Sequence, residues 1–317
     1  MYNYENYTKV KEELERRRLD SIASADARAE LLRSESEEIK AIDEELSGTG
    51  LLLFKTACSG GDIAPIKRRN QELVKRKKAL IASLGYPEDF AEVKYHCPDC
   101  SDTGYNSEGR VCRCLREELI KATIASSGIG KLIEKQSFEN FDLEWYKDNP
   151  DAYARMKANL AVARSFVKNF KKKKDNLLLI GKTGTGKTHL STAIAREIIG
   201  MGFDVVYDST HNIITDFEAD KFRSGYGASY QPRSEKYLEC DLLIIDDLGT
   251  EFSSQFTVSC LYNLLNTRLN RGLATVISTN LSADELASKY EDRIYSRIVG
   301  SDSKVLVFAG RDHRLNG

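Results

Sequence analysis

Apolar positions in the first part of the chain return at helical rather than strand spacing. Leu14, Leu31, Leu32, Ile39, Ile42 and Leu46 form an imperfect stripe through a proline-free stretch, about residues 5–48, rich in Glu, Arg, Lys, Ala and Leu. The stripe predicts a helix closed by Gly48 and Gly50. A second helix is expected from about Ala64 to Leu84, with Gly85 at its end and Pro87 preventing continuation. A helical stretch near Arg116–Ala125 comes next, then QSFENFDLEWYKDNPDAY, an aromatic-bearing segment that reads as a linker. From Asn176 the pattern changes. NLLLI, FDVVY, LLIID, ATVIST and KVLVF are short β-rich runs, and most of the stretches between them read as helices. Such alternation predicts an α/β fold, a parallel sheet sandwiched by helices. The expected layout is a helical region over 1–90, a cysteine module over 91–130, a linker over 131–175 and the sheet domain over 176–317.

Composition narrows the class. The 317 residues allow a core-bearing domain of about 150–200 residues plus an extra module, and 41% hydrophobic with 30% charged residues describes a soluble globular chain. No apolar run approaches the ~18–20 residues of a membrane span, and no apolar segment follows the basic positions near the start, so no membrane contact and a cytoplasmic address are expected. A net charge of −1 leaves any nucleic-acid contact to a local patch. The second helix carries Lys67, Arg68, Arg69, Lys75, Arg76, Lys77 and Lys78, read first as a solvated face and second as a patch for nucleic acid or an acidic partner.

The chemistry begins at Gly181-Lys182-Thr183-Gly184-Thr185-Gly186-Lys187-Thr188, which fills every position of G-x-x-x-x-G-K-[ST] between a strand and a helix. Glycines let backbone N–H groups converge on phosphates at the positive end of the helix. Lys187 is placed to reach the β- and γ-phosphates of ATP, and the Thr188 hydroxyl to bind Mg²⁺. Leu242-Leu243-Ile244-Ile245-Asp246-Asp247 reads as a buried strand ending in two carboxylates. Asp246 fits the Mg²⁺-holding Walker-B position and Asp247 the position that orients or deprotonates the attacking water. Asp247 is one methylene shorter than the Glu of many such ATPases, which bears on hydrolysis rate. Asn280, after the next strand, fits a sensor amide holding the same water, and is also an ordinary turn residue. Arg293 and Arg297 lie four apart on one helix face; Arg297 is the first choice for a finger reaching the nucleotide of a neighbouring subunit. Arg314, beyond the final strand, is a candidate for a contact to the nucleotide of its own chain.

Seven cysteines in a cytoplasmic chain point to metal or redox use rather than disulfides, and four of them fall together. Cys97-Pro-Asp-Cys100 and Cys112-Arg-Cys114 supply four thiolates from two turns, enough for tetrahedral Zn²⁺, whose binding would provide folding energy to a short polar segment. A redox C-x-x-C pair and an iron–sulfur cluster are the rivals, and His96 is an awkward substitute ligand beside Cys97.

YHCPDCSDTGY, VCRCL, SFENFDLEWY, GKTGTGKTHLSTAIA, LLIIDDLGTE, ISTNLS, DRIYSRI and GRDHR, in that order, resemble the DnaC/DnaI group of bacterial replicative helicase loaders. The match is close from about Tyr86 to Arg314 and looser before it. The resemblance implies an AAA+ ATPase that binds the hexameric replicative DNA helicase through its N-terminal region, residues 1–90, and helps place it on single-stranded DNA. It carries Walker-A roles to Lys187 and Thr188, Walker-B roles to Asp246 and Asp247, sensor 1 to Asn280, the finger and self-assembly to Arg297, and sensor 2 to Arg314. A transposition helper ATPase of the IstB kind is the alternative, though those generally lack the cysteine module. A small-molecule kinase and a nucleotide-sensing adaptor that hardly hydrolyses ATP are weaker readings.

Overall fold

A computed structural model describes residues 3–222, 232–300 and 303–310 of the chain. The described residues fall into two compact units, one of residues 11–115 and the other of 1–10 with 116–317. These limits differ from the four-part layout expected from the sequence. Most of the helical region and all four clustered cysteines fall in one unit, whereas residues 1–10, residues 116–130 and the segment expected as a linker are part of the other.

Helices α1 (Tyr4–Glu35), α2 (Glu37–Cys58) and α3 (Ala64–Ser83) come first. The single helix expected over 5–48 is therefore two. Ser36 adopts an extended backbone (φ −145°, ψ 109°), and its hydroxyl accepts from the Ile39 amide at 3.3 Å, capping α2. Gly48 and Gly50 do not end α2. Glycine costs about 1 kcal/mol inside a helix, too little to stop one that continues through LLLFK. Leu32 and Ile39, either side of the break, pack with Ile81 of α3 in a small core, whereas Leu31 of the expected stripe is exposed. The basic face of α3 is largely paired. Arg69 meets Glu45 at 2.6 Å, Arg76 meets Glu38 at 2.8 Å and Lys77 meets Asp43 at 2.5 Å, all on α2. The two exposed pairs, of Arg69 and Arg76, add at most about 1 kcal/mol each, and with the half-buried Lys77–Asp43 pair they form a solvated seam between α2 and α3.

After α4 (Arg113–Ser126), α5 (Leu132–Lys135) and α6 (Pro150–Asn169), the chain builds five strands where the sequence predicts them. They are β1 (Asn176–Gly181), β2 (Val205–Ser209), β3 (Leu242–Leu248), β4 (Ala274–Thr279) and β5 (Ser303–Phe308). All neighbours are parallel, in the order β2-β3-β4-β1-β5. Helices α7 (Lys187–Gly200), α8 (Thr210–Phe222), α9 (Glu235–Glu239), α10 (Gln255–Asn270), α11 (Ala283–Lys289) and α12 (Asp292–Ile298) complete the unit. Side chains alternate along each strand, so Leu177 and Leu179 enter one core with α6 and α7 while Leu178 enters the other with α10. The carboxyl ends of β1, β3 and β4 finish at one edge of the sheet, the edge at which open α/β sheets bind ligands.

Residues 131–175 are not a linker. Asn149 accepts from the amides of Asp151 and Ala152, both at 3.1 Å, and Pro150 opens α6. Ala152, Met156, Ala163, Phe166 and Val167 of α6 are buried with Phe138, Phe141 and Tyr146 against the sheet. Helical spacing was present in that segment, and the aromatics upstream of it are core rather than tether.

Arg268 of α10 is fully buried in the second core. Its guanidinium donates to Tyr237 O at 2.8 Å, Cys240 O at 3.0 Å, Ala274 O at 2.6 Å and Thr275 Oγ1 at 3.0 Å. Replacing it strands carbonyls that have no other route to water. Arg268→Ala is expected to destabilise this unit by about 3 kcal/mol, a fall in Tm on the order of 6–12 °C for a unit of this size. Thermal unfolding checks this, and a change within about 2 °C would show that the carbonyls find other partners.

Candidate functional site

The phosphate-loop motif curls where β1 meets α7. Gly181 is required by proximity, because a Cβ there would lie 2.5 Å from Phe308 O on β5. Gly186 is required by conformation and by space: its φ is 92°, and an added Cβ would lie 2.8 Å from Tyr146 Oη. Within the loop, Thr185 Oγ1 donates to Lys182 O at 2.7 Å, and the Tyr146 phenol donates to Thr185 O at 3.0 Å. The Lys187 side chain is only 6% exposed. Its ammonium donates to Gly181 O at 2.5 Å, Lys182 O at 2.9 Å and Asn280 Oδ1 at 2.6 Å. The lysine of the loop and the amide at the end of β4 are thus in direct contact.

A cavity of about 300 Å³ opens beside this loop. Thr183, Gly184, Lys187 and Thr188 form its floor, and Asp247 and Asn280 stand on one side. Its other wall is Asn140, Phe141, Trp145 and Tyr146, from the segment expected as a linker. Sequence reasoning missed that wall; the signal for it was the aromatic cluster one helix ahead of the strand that carries the phosphate loop. His189, one residue beyond Thr188, holds the wall in place. Its Nε2 lies 3.0 Å from both Ser137 O and Asn140 Oδ1, which makes Nε2 the protonated nitrogen, and its ring meets Phe141 edge-on at 5.2 Å. Burial lowers the His189 pKa, opposed in part by the bond to Ser137.

The two acids at the end of β3 occupy different environments. Asp246 is half-buried and in register with Ser209; the Tyr207 phenol donates to its Oδ2 at 2.5 Å, and the Ser278 hydroxyl donates to its Oδ1. Asp247 is exposed and left-handed (φ 54°), at the irregularity between Ile245 and Leu248, and its amide donates to Ser278 Oγ at 3.1 Å. That turn aims the second carboxylate into the cavity while the first stays within the sheet.

The structure therefore gathers Lys187, Thr188, Asp247 and Asn280 on one cavity, with Asp246 reached through Ser278. It does not bring Arg297 there. That guanidinium donates to Asn266 Oδ1 at 2.9 and 3.0 Å and to Tyr262 Oη at 3.0 Å, and lies 4.3 Å from the Tyr262 ring centre. Arg293, from the same helix, lines a separate groove with Tyr262 and Asn263. Arg314 lies outside the described residues.

The fit to a triphosphate with its cation is chemical as well as geometric. Backbone amides of a glycine loop, a buried ammonium, a hydroxyl at Thr188 and a carboxylate at Asp246 are the donor and acceptor types that phosphate oxygens and Mg²⁺ require.

The cysteine module, in the other unit, is a second candidate centre. The four Sγ atoms of Cys97, Cys100, Cys112 and Cys114 all lie within 4.8 Å of one another. Cys97 and Cys112 are 3.7 Å apart and Cys100 and Cys114 are 3.4 Å apart. A tetrahedron of sulfurs around Zn²⁺ at ~2.3 Å has edges near ~3.8 Å, so the set fits with little movement. Asp102, 1% exposed, shapes the first turn by accepting from the amides of His96 at 2.9 Å and Cys97 at 2.8 Å. Ser101 (φ 51°), Asp102 (φ 58°) and Gly104 (φ 82°) turn the chain back, and Cys112 N donates to Gly104 O at 2.9 Å. Burial, and then the neighbouring sulfurs, push the Cys114 thiol up. A cation reverses that by stabilising the thiolates. His96 is 65% exposed and is not part of the sulfur cluster.

Residues 113–300 match the family model described as IstB-like ATP binding protein. Among curated relatives, the replicative helicase loader DnaC of Escherichia coli K12 is 27% identical over 195 residues, 62% of this chain and 76% of that protein. The phage-like element PBSX protein XkdC of Bacillus subtilis 168 is 25% identical over 268 residues, 78% of this chain and 95% of that protein. A crystal structure of the DnaC helicase loader is 24% identical, covers 49% of this chain and 90% of its own, and superposes with a TM-score of 0.44. None of the described helices is long and apolar enough to cross a membrane.

Two outcomes are expected. Lys187→Ala removes donors worth about 1.5–3 kcal/mol each to a charged acceptor, so ATP affinity should fall on the order of 100-fold in calorimetry; binding at wild-type affinity would contradict the assignment. Metal analysis of the purified chain should find about one zinc per molecule. Cys97→Ser combined with Cys100→Ser should lose it, and a native chain free of metal would refute the centre.

Proposed function

The chain belongs to the IstB-like ATP-binding family, and from that premise we propose that it is an ATP-dependent loader of the hexameric replicative DNA helicase onto single-stranded DNA. The observation that carries the nucleotide half of this reading is the meeting of Lys187, Asn280 and Asp247 on one cavity with Asp246 behind them. The replication half is supported by relatives that are named replicative helicase loaders. The cysteine centre adds support. It lies mostly ahead of the region shared with the family model, in a unit with the N-terminal helices.

The proposed roles follow from the geometry. Phosphate oxygens of ATP take the Lys187 donors that now go to Gly181 O, Lys182 O and Asn280 Oδ1, and so release the Asn280 amide. Asn280 is then free to orient a water against the γ-phosphate, and Asp247 to accept its proton. Thr188 and Asp246 would hold Mg²⁺, which when bound offsets the negative charge that builds on the phosphates. The aromatic wall of Phe141, Trp145 and Tyr146 is the surface offered to the base. Arg297 is proposed to complete the site of a neighbouring copy, since its guanidinium is held against Asn266 and Tyr262 and does not line the cavity of its own chain. Residues 1–90 are proposed to contact the helicase, and the place of action is the cytoplasm.

A transposition helper ATPase of the IstB kind is the second reading, favoured by the name of the family whose model matches residues 113–300. A pull-down of the full chain with its host's replicative helicase, with and without ATP, separates the two. Nucleotide-dependent capture of the helicase is the expected result. A chain that binds ATP but never retains the helicase would sink the loader reading and leave the transposition one.

A further inference from the structure

Two buried donors hold the Asp246 carboxylate from opposite neighbours in the sheet. Tyr207, on β2, donates to Oδ2 at 2.5 Å, and Ser278, on β4, donates to Oδ1. Ser278 Oγ also accepts the Asp247 amide at 3.1 Å, so one hydroxyl sets both acids. Tyr207 is 9% exposed and Ser278 is fully buried, and neither lines the nucleotide cavity. The backbone of Tyr207 is pinned as well. Its amide donates to Ser127 O at 2.7 Å, and Gly128 (φ 81°) approaches so closely that a Cβ there would lie 2.4 Å from Tyr207 O.

A carboxylate has roughly four lone-pair positions. Tyr207 and Ser278 take one on each oxygen and fix the plane of the group. The remaining positions are left for a cation or its bound water. We propose that Tyr207 and Ser278 are positioning residues for the magnesium-holding carboxylate, and that by orienting Asp246 they set how tightly the chain's ATP complex takes its divalent cation. This rests on the Mg-ATP reading above. It adds two residues that no phosphate-loop motif contains.

The test uses the full chain, a fluorescent ATP analogue and a magnesium titration, with Mn²⁺ electron paramagnetic resonance as an independent measure of cation affinity. Tyr207→Phe and Ser278→Ala should each raise the magnesium concentration for half-maximal tight binding by about tenfold, with analogue affinity in EDTA unchanged within about twofold. Mn²⁺ affinity of the nucleotide complex should fall in parallel. An unchanged midpoint in a variant with wild-type circular dichroism overturns the assignment. So do equal losses with and without the cation, which would mean a merely structural role. Should one variant fail to fold, the other carries the same test from the opposite carboxylate oxygen. A wild-type chain whose nucleotide binding ignores magnesium overturns the Mg-ATP reading itself, and this assignment with it.

Discussion

The site is organised around the ammonium of Lys187. A buried cation needs acceptors on every side, and here they come from two β-strand ends: Gly181 O and Lys182 O after β1, and Asn280 Oδ1 after β4. The glycines at 181 and 186 bring backbone near enough for this to happen, since side chains there would strike Phe308 and Tyr146. The order β2-β3-β4-β1-β5 sets β4 directly beside β1, which makes the third acceptor available. In the proposed ATP complex, phosphates would compete for the same donors and change these internal hydrogen bonds. Sheet order and glycine placement thus serve one contact, the pairing of Lys187 with its acceptors.

Two consecutive aspartates can do different work only if the chain separates them. In a regular strand they would point to opposite faces, one of them into a core. The irregularity after Ile245 and the left-handed backbone of Asp247 avoid that, at a cost of roughly 1–2 kcal/mol for a non-glycine residue. The strain is held by the turn that follows. Gly249 N donates to Glu251 Oε2 at 2.8 Å, Lys289 donates to Gly249 O at 2.5 Å, and the Tyr290 phenol donates to the other oxygen of Glu251. A buried glutamate thus ties the loop carrying Asp247 to the junction of α11 and α12, the helix that bears Arg293 and Arg297.

The five strands, the phosphate loop and the paired acids were legible because each is local. Short apolar β-rich runs and a fixed motif spacing leave their marks within ten residues. What was not legible depended on contacts between distant segments. The aromatic run before Pro150 looks the same as a linker until Phe138, Phe141 and Tyr146 meet the sheet. Tyr207 sits inside a strand with no motif to mark it, and only the pairing of β2 with β3 sets its phenol on Asp246. The break at Ser36 was local and was missed for another reason: a serine in a helical pattern signals a cap only when packing of Leu32, Ile39 and Ile81 rewards a bend there. Arg297 was identifiable as a candidate by type and spacing, but its hold on Asn266 and Tyr262 was not.

The two units rely on different stabilising physics. The sheet unit packs helices on both faces of its sheet, leaving only one face of the edge strand β5 exposed, and its glycine and acid placements are strains that a large core can hold. The described residues of 11–115 offer less apolar burial: a small core of Leu32, Ile39 and Ile81 with Leu14, Ile42, Leu73 and Leu115 also buried, a seam of ion pairs between α2 and α3, and turns at 97–114 with left-handed Ser101 and Asp102. Exposed ion pairs contribute little, and left-handed non-glycine residues oppose folding. A metal held by the four sulfurs, which lie within 4.8 Å of one another, would add its binding energy to folding at that end of the unit. The sheet unit, with its two large cores, needs no such cross-link.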